Sequence, residues 1–184
     1  MKDLTLIIPA KNEKESLPKV LDELRNFNFK KNIILEASDR LTIESIKDYD
    51  CEIIYQDSKG YGDALKKGIE KVNTKFFCIF NADGSFDPKE LDEMISKLKH
   101  DKCDFVFASR YEKNCGSDDD TLITFIGNYI FTFLGKIFFG LGVTDILYTF
   151  VMARTSCAKN LRLSSKDFSF CVELPIKAKR NGYK

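Results

Sequence analysis

The apolar residues of this chain fall into short blocks that switch between two periods. Residues 4–8 form an apolar run too short for a helix, and Leu17, Val20, Leu21 and Leu24 then recur at helical spacing behind Ser16, an N-cap candidate, and Pro18. Residues 33–36 and 52–55 read as the second and third strands, with a short helix at 42–49 between them. A helix at 62–72 carries Leu65, Ile69 and Val72 inward, and Phe76-Phe77-Cys78-Ile79-Phe80 reads as a fourth, fully buried strand. A helix at 88–99 follows with Leu91, Met94, Ile95 and Leu98 on one face, then a fifth strand at 104–108. Alternation of short strands with helices predicts an α/β fold, a mostly parallel sheet with helices on both faces. The chain has 184 residues, enough for one domain over 1–184 with a real core, and shows no repeat or low-complexity linker.

Residues 122–143 are apolar enough to raise the question of a membrane span. Thr121, Thr124, Asn128, Thr132 and Lys136 recur at helical spacing, however, and a lysine in the bilayer centre costs about 2.5–3.5 kcal/mol. The pattern therefore predicts an amphipathic element. Phe125, Phe131, Phe133, Phe138 and Phe139 then either close the domain core or lie on a lipid surface. Residues 172–180 read as a helix ended by Asn181-Gly182, and Tyr183-Lys184 read as the opening of another strand, so the domain is expected to be incomplete at its C-terminus.

Composition narrows the partners. Lys and Arg number 29 against 28 Asp and Glu, so no global field draws the chain to nucleic acid. Six cysteines without a C-x-x-C pair, one of them inside the fourth strand, suit a reducing, cytoplasmic compartment. Met1-Lys2-Asp3-Leu4 enters a strand at once, which argues against secretion.

In parallel sheets ligands bind beyond the carboxyl ends of the strands. The residues there are Pro9-Ala10-Lys11-Asn12-Glu13, Glu36-Ala37-Ser38-Asp39, the stretch from Gln56 to Asp63 with Gly60 and Gly62, and the turn Asn81-Ala82-Asp83-Gly84-Ser85-Phe86-Asp87. Carboxylates in the last turn suit a hard divalent ion that shares its shell with phosphate oxygens. The plainer alternative is a cap, Asp87 before Pro88 opening the next helix. Gly60 and Gly62 at a helix entrance would let backbone N–H groups approach a phosphate, or serve as ordinary turn residues. His100 ends a surface helix and reads as solvated.

Ile7-Ile8-Pro9-Ala10-Lys11-Asn12-Glu13, Lys59-Gly60-Tyr61-Gly62-Asp63-Ala64, Asn81-Ala82-Asp83-Gly84 and Ala108-Ser109-Arg110-Tyr111, in this order and spacing, resemble family 2 glycosyltransferases. Thr144-Asp145 and Phe170-Cys171-Val172-Glu173 are similar to the polyprenyl-phosphate glycosyltransferases within that family. The resemblance spans nearly the whole chain. It implies a GT-A fold, a UDP- or GDP-sugar donor, a Mg or Mn ion, inverting transfer to a lipid-linked or glycan acceptor, a peripheral place on the cytoplasmic face of a membrane, and a role in cell-envelope glycan synthesis. Pro9, Asn12 and Glu13 would line the nucleoside pocket with Gly60, Gly62 and Asp63 beside it, and Asp83 would be a metal ligand, with Ala82 in the same donor-binding turn.

The chain departs from the family pattern in three places. Asn81 replaces the first aspartate of the metal turn, an uncharged ligand that Ser85 or Asp87 would have to assist. Glu36 replaces the carboxylate that grips base or ribose. Val151 stands where an acceptor-binding arginine is expected, which leaves Arg110 and Arg154 as the candidate cations. A hydroxyl acceptor would need a base, with Asp145 or one of Asp118, Asp119 and Asp120 as candidates, whereas a phosphate acceptor needs none. Asp145 also reads as a helix cap, and Glu173 as a carboxylate that orients another group. Two rival readings are a sugar-nucleotide nucleotidyltransferase, which lacks its basic glycine-rich loop here, and a degenerate GT-A module that binds without transferring.

Overall fold

A computed structural model of the protein describes residues 3–111 and 122–184, with 122–125 by backbone alone. The elements run β1 (Leu4–Pro9), α1 (Ser16–Glu23), a 3-10 turn (Leu24–Asn26), β2 (Lys30–Leu35), α2 (Arg40–Ser45), β3 (Glu52–Tyr55), α3 (Tyr61–Lys71) and β4 (Phe76–Ile79). They continue with α4 (Glu90–His100), β5 (Phe105–Phe107), α5 (Leu122–Phe139), β6 (Val151–Arg154), α6 (Thr155–Asn160) and α7 (Phe170–Arg180). The six strands lie in the order β3-β2-β1-β4-β6-β5. β1 pairs in parallel with β2 and β4, and β2 with β3, while β6 runs antiparallel to both its neighbours.

Period-two alternation divides the core between the two faces of the sheet. Leu6, Ile8 and Cys78 meet Leu17, Val20 and Leu21 of α1 and Leu91, Met94 and Leu98 of α4. Ile7, Phe77 and Ile79 meet Leu65 and Ile69 of α3 and Phe170, Leu174 and Ala178 of α7. Phe77 is 0% exposed, and burying a side chain of that kind contributes roughly 1.5–3 kcal/mol.

Several boundaries differ from the sequence reading. Ser16 is the first residue of α1 rather than its cap, and its hydroxyl donates to the Glu13 carboxylate. Asp87 accepts the Lys89 N–H at 2.9 Å, so it closes a turn ahead of α4, which begins at Glu90. Tyr183 and Lys184 form no strand; the Lys184 carbonyl accepts from Asp104 N–H at 2.7 Å and Phe105 N–H at 3.0 Å beside β5. β6 and α6 were not foreseen, because a four-residue strand directly followed by a six-residue helix shows too little of either period.

The largest correction concerns α5, where Asn128 and Thr132 of the polar stripe face the protein while Lys136 is exposed; Thr121 and the Thr124 side chain lie outside the described residues. Asn128 is 1% exposed, the Thr132 hydroxyl accepts the Ile146 N–H at 3.2 Å, and Gly135 packs against Leu141 and Ile146. The apolar flank faces outward, with Tyr129 66%, Phe133 52%, Ile137 59% and Phe138 71% exposed. Phe131 and Phe139 are exposed too, so these four phenylalanines do not close the core; the Phe125 side chain lies outside the described residues. Among the described residues no helix is long and apolar enough to cross a membrane.

Candidate functional site

β1 to β4 empty on one edge of the sheet, and the segment entering β6 joins them there because β6 is antiparallel. The result is a cleft of about 930 Å³. Its walls take Pro9, Lys11 and Glu13 from the end of β1, Glu36 from β2, Gln56 from β3, and Gly60 and Tyr61 from the entrance of α3. β4 contributes Asn81, Ala82, Asp83 and Ser85, β5 contributes Arg110, and Leu147, Tyr148 and Thr149 arrive ahead of β6. Asp167, Phe168 and Cys171 close the remaining side.

The loop after β1 is tied to α2. Asn12 adopts a φ of 60° and is exposed; its N–H donates to Asp39 at 2.7 Å, and its side chain is not part of the cleft wall. The Glu13 N–H donates to the Thr42 hydroxyl at 3.0 Å, and its carboxylate accepts from the Ser16 hydroxyl, which fixes Glu13 at the cleft wall. Burial pushes the Asp39 carboxyl up, but the bonds from Asn12 and Thr42 outweigh it and hold the group below its ordinary range. Lys11 and Glu36 approach to 3.9 Å at the β1–β2 end of the cleft.

Asp63 and the glycines act differently from expectation. Asp63 lies behind the wall, where it accepts the Ser58 N–H and the Ser58 hydroxyl, each at 2.8 Å. It thereby fixes the loop between β3 and α3. A Cβ at Gly60, whose φ is 125°, would lie 2.0 Å from the Lys166 carbonyl oxygen, and one at Gly62 would lie 2.7 Å from the Ser165 and Asp167 carbonyl oxygens. These glycines admit the backbone of 165–167, and the Asp63 N–H donates to the Lys166 carbonyl at 3.1 Å. On this side the helix entrance is occupied by the 165–167 backbone, while Gly60 and Tyr61 still border the cleft.

The turn after β4 is the acidic centre of the cleft. Asp83 is exposed, and its Oδ1 accepts the Ser85 N–H at 2.9 Å and the Ser85 hydroxyl at 2.7 Å. Asn81 donates to the Ser85 hydroxyl at 3.3 Å, while its Oδ1 accepts from the Tyr61 hydroxyl at 3.3 Å. Asp87 is turned away towards Lys89 and is not part of the wall. Among the described residues no three His, Cys, Asp or Glu side chains converge on a point. One carboxylate with an amide oxygen and a hydroxyl is nonetheless a hard-oxygen donor set, which fits Mg or Mn when phosphate and water complete the shell.

The Tyr61 hydroxyl is also within 2.7 Å of the Thr149 hydroxyl, and burial pushes its ionisation well above the ordinary tyrosine range. Tyr148 is pushed up to about 12, first by burial and then by the Glu90 charge. Both phenols are neutral hydrogen-bonding groups at physiological pH.

Asp145 is not a helix cap. Its side chain is 0% exposed and grips Arg110 in a fork, with Nε to Oδ2 at 2.8 Å and Nη2 to Oδ1 at 2.9 Å. The Arg110 N–H at 3.2 Å and Asn128 Nδ2 at 2.8 Å complete its shell. A carboxylate with four donors has little capacity left as a base, so Asp145 positions Arg110, which lines the cleft with its guanidinium 4.9 Å from the Tyr148 ring centre. Arg154 lies at the opposite edge, beside Phe76 at the start of β4, and donates to the carbonyls of Cys103 and Leu98. It is no candidate for the acceptor site. Val151 is buried within β6.

Glu173 also works as a positioning group, away from the cleft. It accepts from Ser164 N–H, the Ser164 hydroxyl and Ser165 N–H at 2.7–2.8 Å, and pairs with Lys177 at 2.7 Å. Burial pushes it up, yet Lys177 and these serine bonds together bring it down to about 2. It holds the loop that delivers Asp167 and Phe168. Those two residues, Tyr61, Thr149 and the inward role of Asn128 were missed from sequence, since a loop aromatic has no periodicity to betray it. Asp118, Asp119 and Asp120 lie outside the described residues.

This fold and cleft define a GT-A glycosyltransferase. Residues 5–162 match the family described as Glycosyl transferase family 2, and the chain belongs to that family. One relative, UDP-N-acetylglucosamine--dolichyl-phosphate N-acetylglucosaminyltransferase of Methanococcus voltae, is 26% identical over 96% of this chain and 80% of its own length. The low-salt glycan biosynthesis hexosyltransferase Agl6 of Haloferax volcanii is 22% identical over 95% of this chain but 44% of its own. Among solved structures, glucosyl-3-phosphoglycerate synthase from Mycobacterium tuberculosis, in complex with Mn2+, UDP and glucosyl-3-phosphoglycerate, superposes with a TM-score of 0.78 at 13% identity. The match covers 98% of this chain and 66% of that one. Mannosyl-3-phosphoglycerate synthase from Rubrobacter xylanophilus gives 0.68 at 15% identity over 85% and 55%. The chain thus spans less than two thirds of Agl6 and of the mannosyl synthase, and about two thirds of the glucosyl synthase.

Proposed function

We propose that the protein moves a sugar, with inversion, from a UDP-sugar to a polyprenyl phosphate at a membrane surface. The observation that carries this reading is the convergence of Glu13, Glu36, Asp83 and Arg110, from four strand ends, on one cleft. Glu13 and Glu36 at one end would bind the nucleoside. Asp83, with Asn81 and Ser85 beside it, would hold a Mg or Mn ion, which when bound offsets the charge that builds on the departing diphosphate. Uridine is favoured over guanosine by the Methanococcus voltae relative and by the UDP in the glucosyl synthase complexes.

Arg110 presents a cation oriented by Asp145, suited to an acceptor phosphate. The four donors around Asp145 weigh against a hydroxyl acceptor that relies on this carboxylate as base, which leaves a glycan hydroxyl as the second reading. The outward face of α5 supports a lipid setting. Its apolar residues are flanked by Lys136 and by Arg180, whose guanidinium sits 5.2 Å from the Phe139 ring centre, a pattern suited to an anionic membrane surface.

The test is transfer of labelled sugar from UDP-N-acetylglucosamine and UDP-glucose, with Mn2+, to dolichyl phosphate in anionic vesicles. The expected result is a lipid-extractable product, together with flotation on the vesicles that Phe133→Glu/Phe138→Glu weakens. Transfer to free glycans alone would overturn the lipid-phosphate acceptor.

A further inference from the structure

Phe168 is an anomaly as a structural residue. It is 72% exposed, yet its ring is stacked on Tyr61 with centroids 5.0 Å apart and planes 18° from parallel, and it lines the cleft. Its neighbour Asp167 lines the cleft too, with Oδ1 fixed by the Ser169 N–H and hydroxyl, while Oδ2 keeps its acceptor capacity. The loop is held from both sides. Glu173 accepts from Ser164 and Ser165, and the Lys166 carbonyl accepts from Asp63, against glycines that admit no side chain. A wide-open aromatic face held this firmly is a preorganised binding surface.

Its position decides the ligand. The Tyr61 hydroxyl reaches Asn81 and Thr149, so the stacked pair stands where β4 meets the segment entering β6. Lys11, Glu13 and Glu36 come from strands on the other side of β4. Through the Tyr61 hydroxyl the stacked pair therefore reaches the acidic turn, where the sugar of a donor with its diphosphate at Asp83 would lie. An aromatic face takes the C–H face of a pyranose, and an adjacent carboxylate takes its hydroxyls.

We infer that Asp167 and Phe168, backed by Tyr61, are specificity-determining residues that hold the hexose ring of the donor. The inference rests on the glycosyltransferase reading above and adds which residues read the sugar. Phe168 supplies ring stacking and Asp167 the choice among hydroxyl configurations.

The experiment compares calorimetric binding of UDP, UDP-N-acetylglucosamine, UDP-glucose, GDP and GDP-mannose, each with Mn2+, to the wild type and to Phe168→Ala, Phe168→Tyr and Asp167→Asn. Both residues are exposed, and circular dichroism verifies that each variant is folded. The expected result is that at least one nucleotide sugar binds more tightly than its parent nucleotide. Phe168→Ala removes roughly three- to tenfold of that gain while the nucleotide itself binds unchanged. Phe168→Tyr retains the gain, and Asp167→Asn alters the ranking of the sugars. Equal weakening of nucleotide and nucleotide sugar would assign the ring to the nucleoside and overturn the inference. So would a wild type in which no sugar adds affinity, or variants that bind like wild type. Absence of binding by every nucleotide would instead bring down the donor-site reading itself.

Discussion

Replacing Asp145 by asparagine tests the network that orients Arg110. Oδ1 of Asp145 receives Arg110 Nη2 and Asn128 Nδ2, and Oδ2 receives Arg110 N and Nε. Whichever way the new amide turns, its NH2 faces two donors, so the variant loses both the charge pair and two acceptor contacts. Removing one partner of a buried pair costs about 3–5 kcal/mol. Arg110 keeps 19% side-chain exposure, so partial hydration places the expected loss near the lower end, about 3 kcal/mol. Urea unfolding followed by far-UV circular dichroism measures this, with sugar transfer as the second readout. Arg110→Met/Asp145→Leu, which substitutes apolar groups for both partners, should recover most of the stability and none of the transfer. A loss below about 1 kcal/mol for Asp145→Asn would refute the argument, since that is the worth of an exposed pair. Transfer by the double variant at wild-type rate would remove Arg110 from the acceptor site.

Two further outcomes follow from the loop against α3. Gly62→Ala would place its Cβ 2.7 Å from two backbone carbonyl oxygens, so it should lower stability by about 1–3 kcal/mol and weaken transfer, measured by thermal melts and turnover. An unchanged melt would show that the 165–167 backbone is not seated there. Glu173 is depressed from its ordinary 4.5 to about 2 in the folded protein, so its contribution is complete above about pH 4.5 and is lost as pH falls towards 2. At about 1.4 kcal/mol per unit, discounted because Lys177 is 31% exposed, that contribution is about 2 kcal/mol. Acid titration of stability should show this step in the wild type and lack it in Glu173→Gln.

The sequence made the parallel core legible because its strands are apolar runs and its helices carry clean stripes, as at Leu65, Ile69 and Val72. The cleft edge was legible for the same reason: once strands are located, the residues after them share a rim. What was misread depends on which partner a polar group meets. Asn128 and Thr132 formed a polar stripe, and periodicity cannot tell whether such a stripe meets water or a buried carboxylate. Asp145, Asp63 and Glu173 were read as site carboxylates, while in the fold they are saturated by Arg110, Ser58 and the Ser164–Ser165 backbone. Phe168 gave no signal because what sets it apart is an exposed ring stacked on Tyr61 at the cleft, which a sequence does not display.

The central claim is a metal-assisted donor site at Asp83. Its most direct test is calorimetric titration of UDP and of GDP, with and without Mn2+, on the wild type and Asp83→Ala. The account predicts binding that needs the metal, favours UDP and is lost in Asp83→Ala. Binding indifferent to both metal and Asp83, or none by the folded chain, would contradict it and point to a GT-A domain that no longer holds a donor.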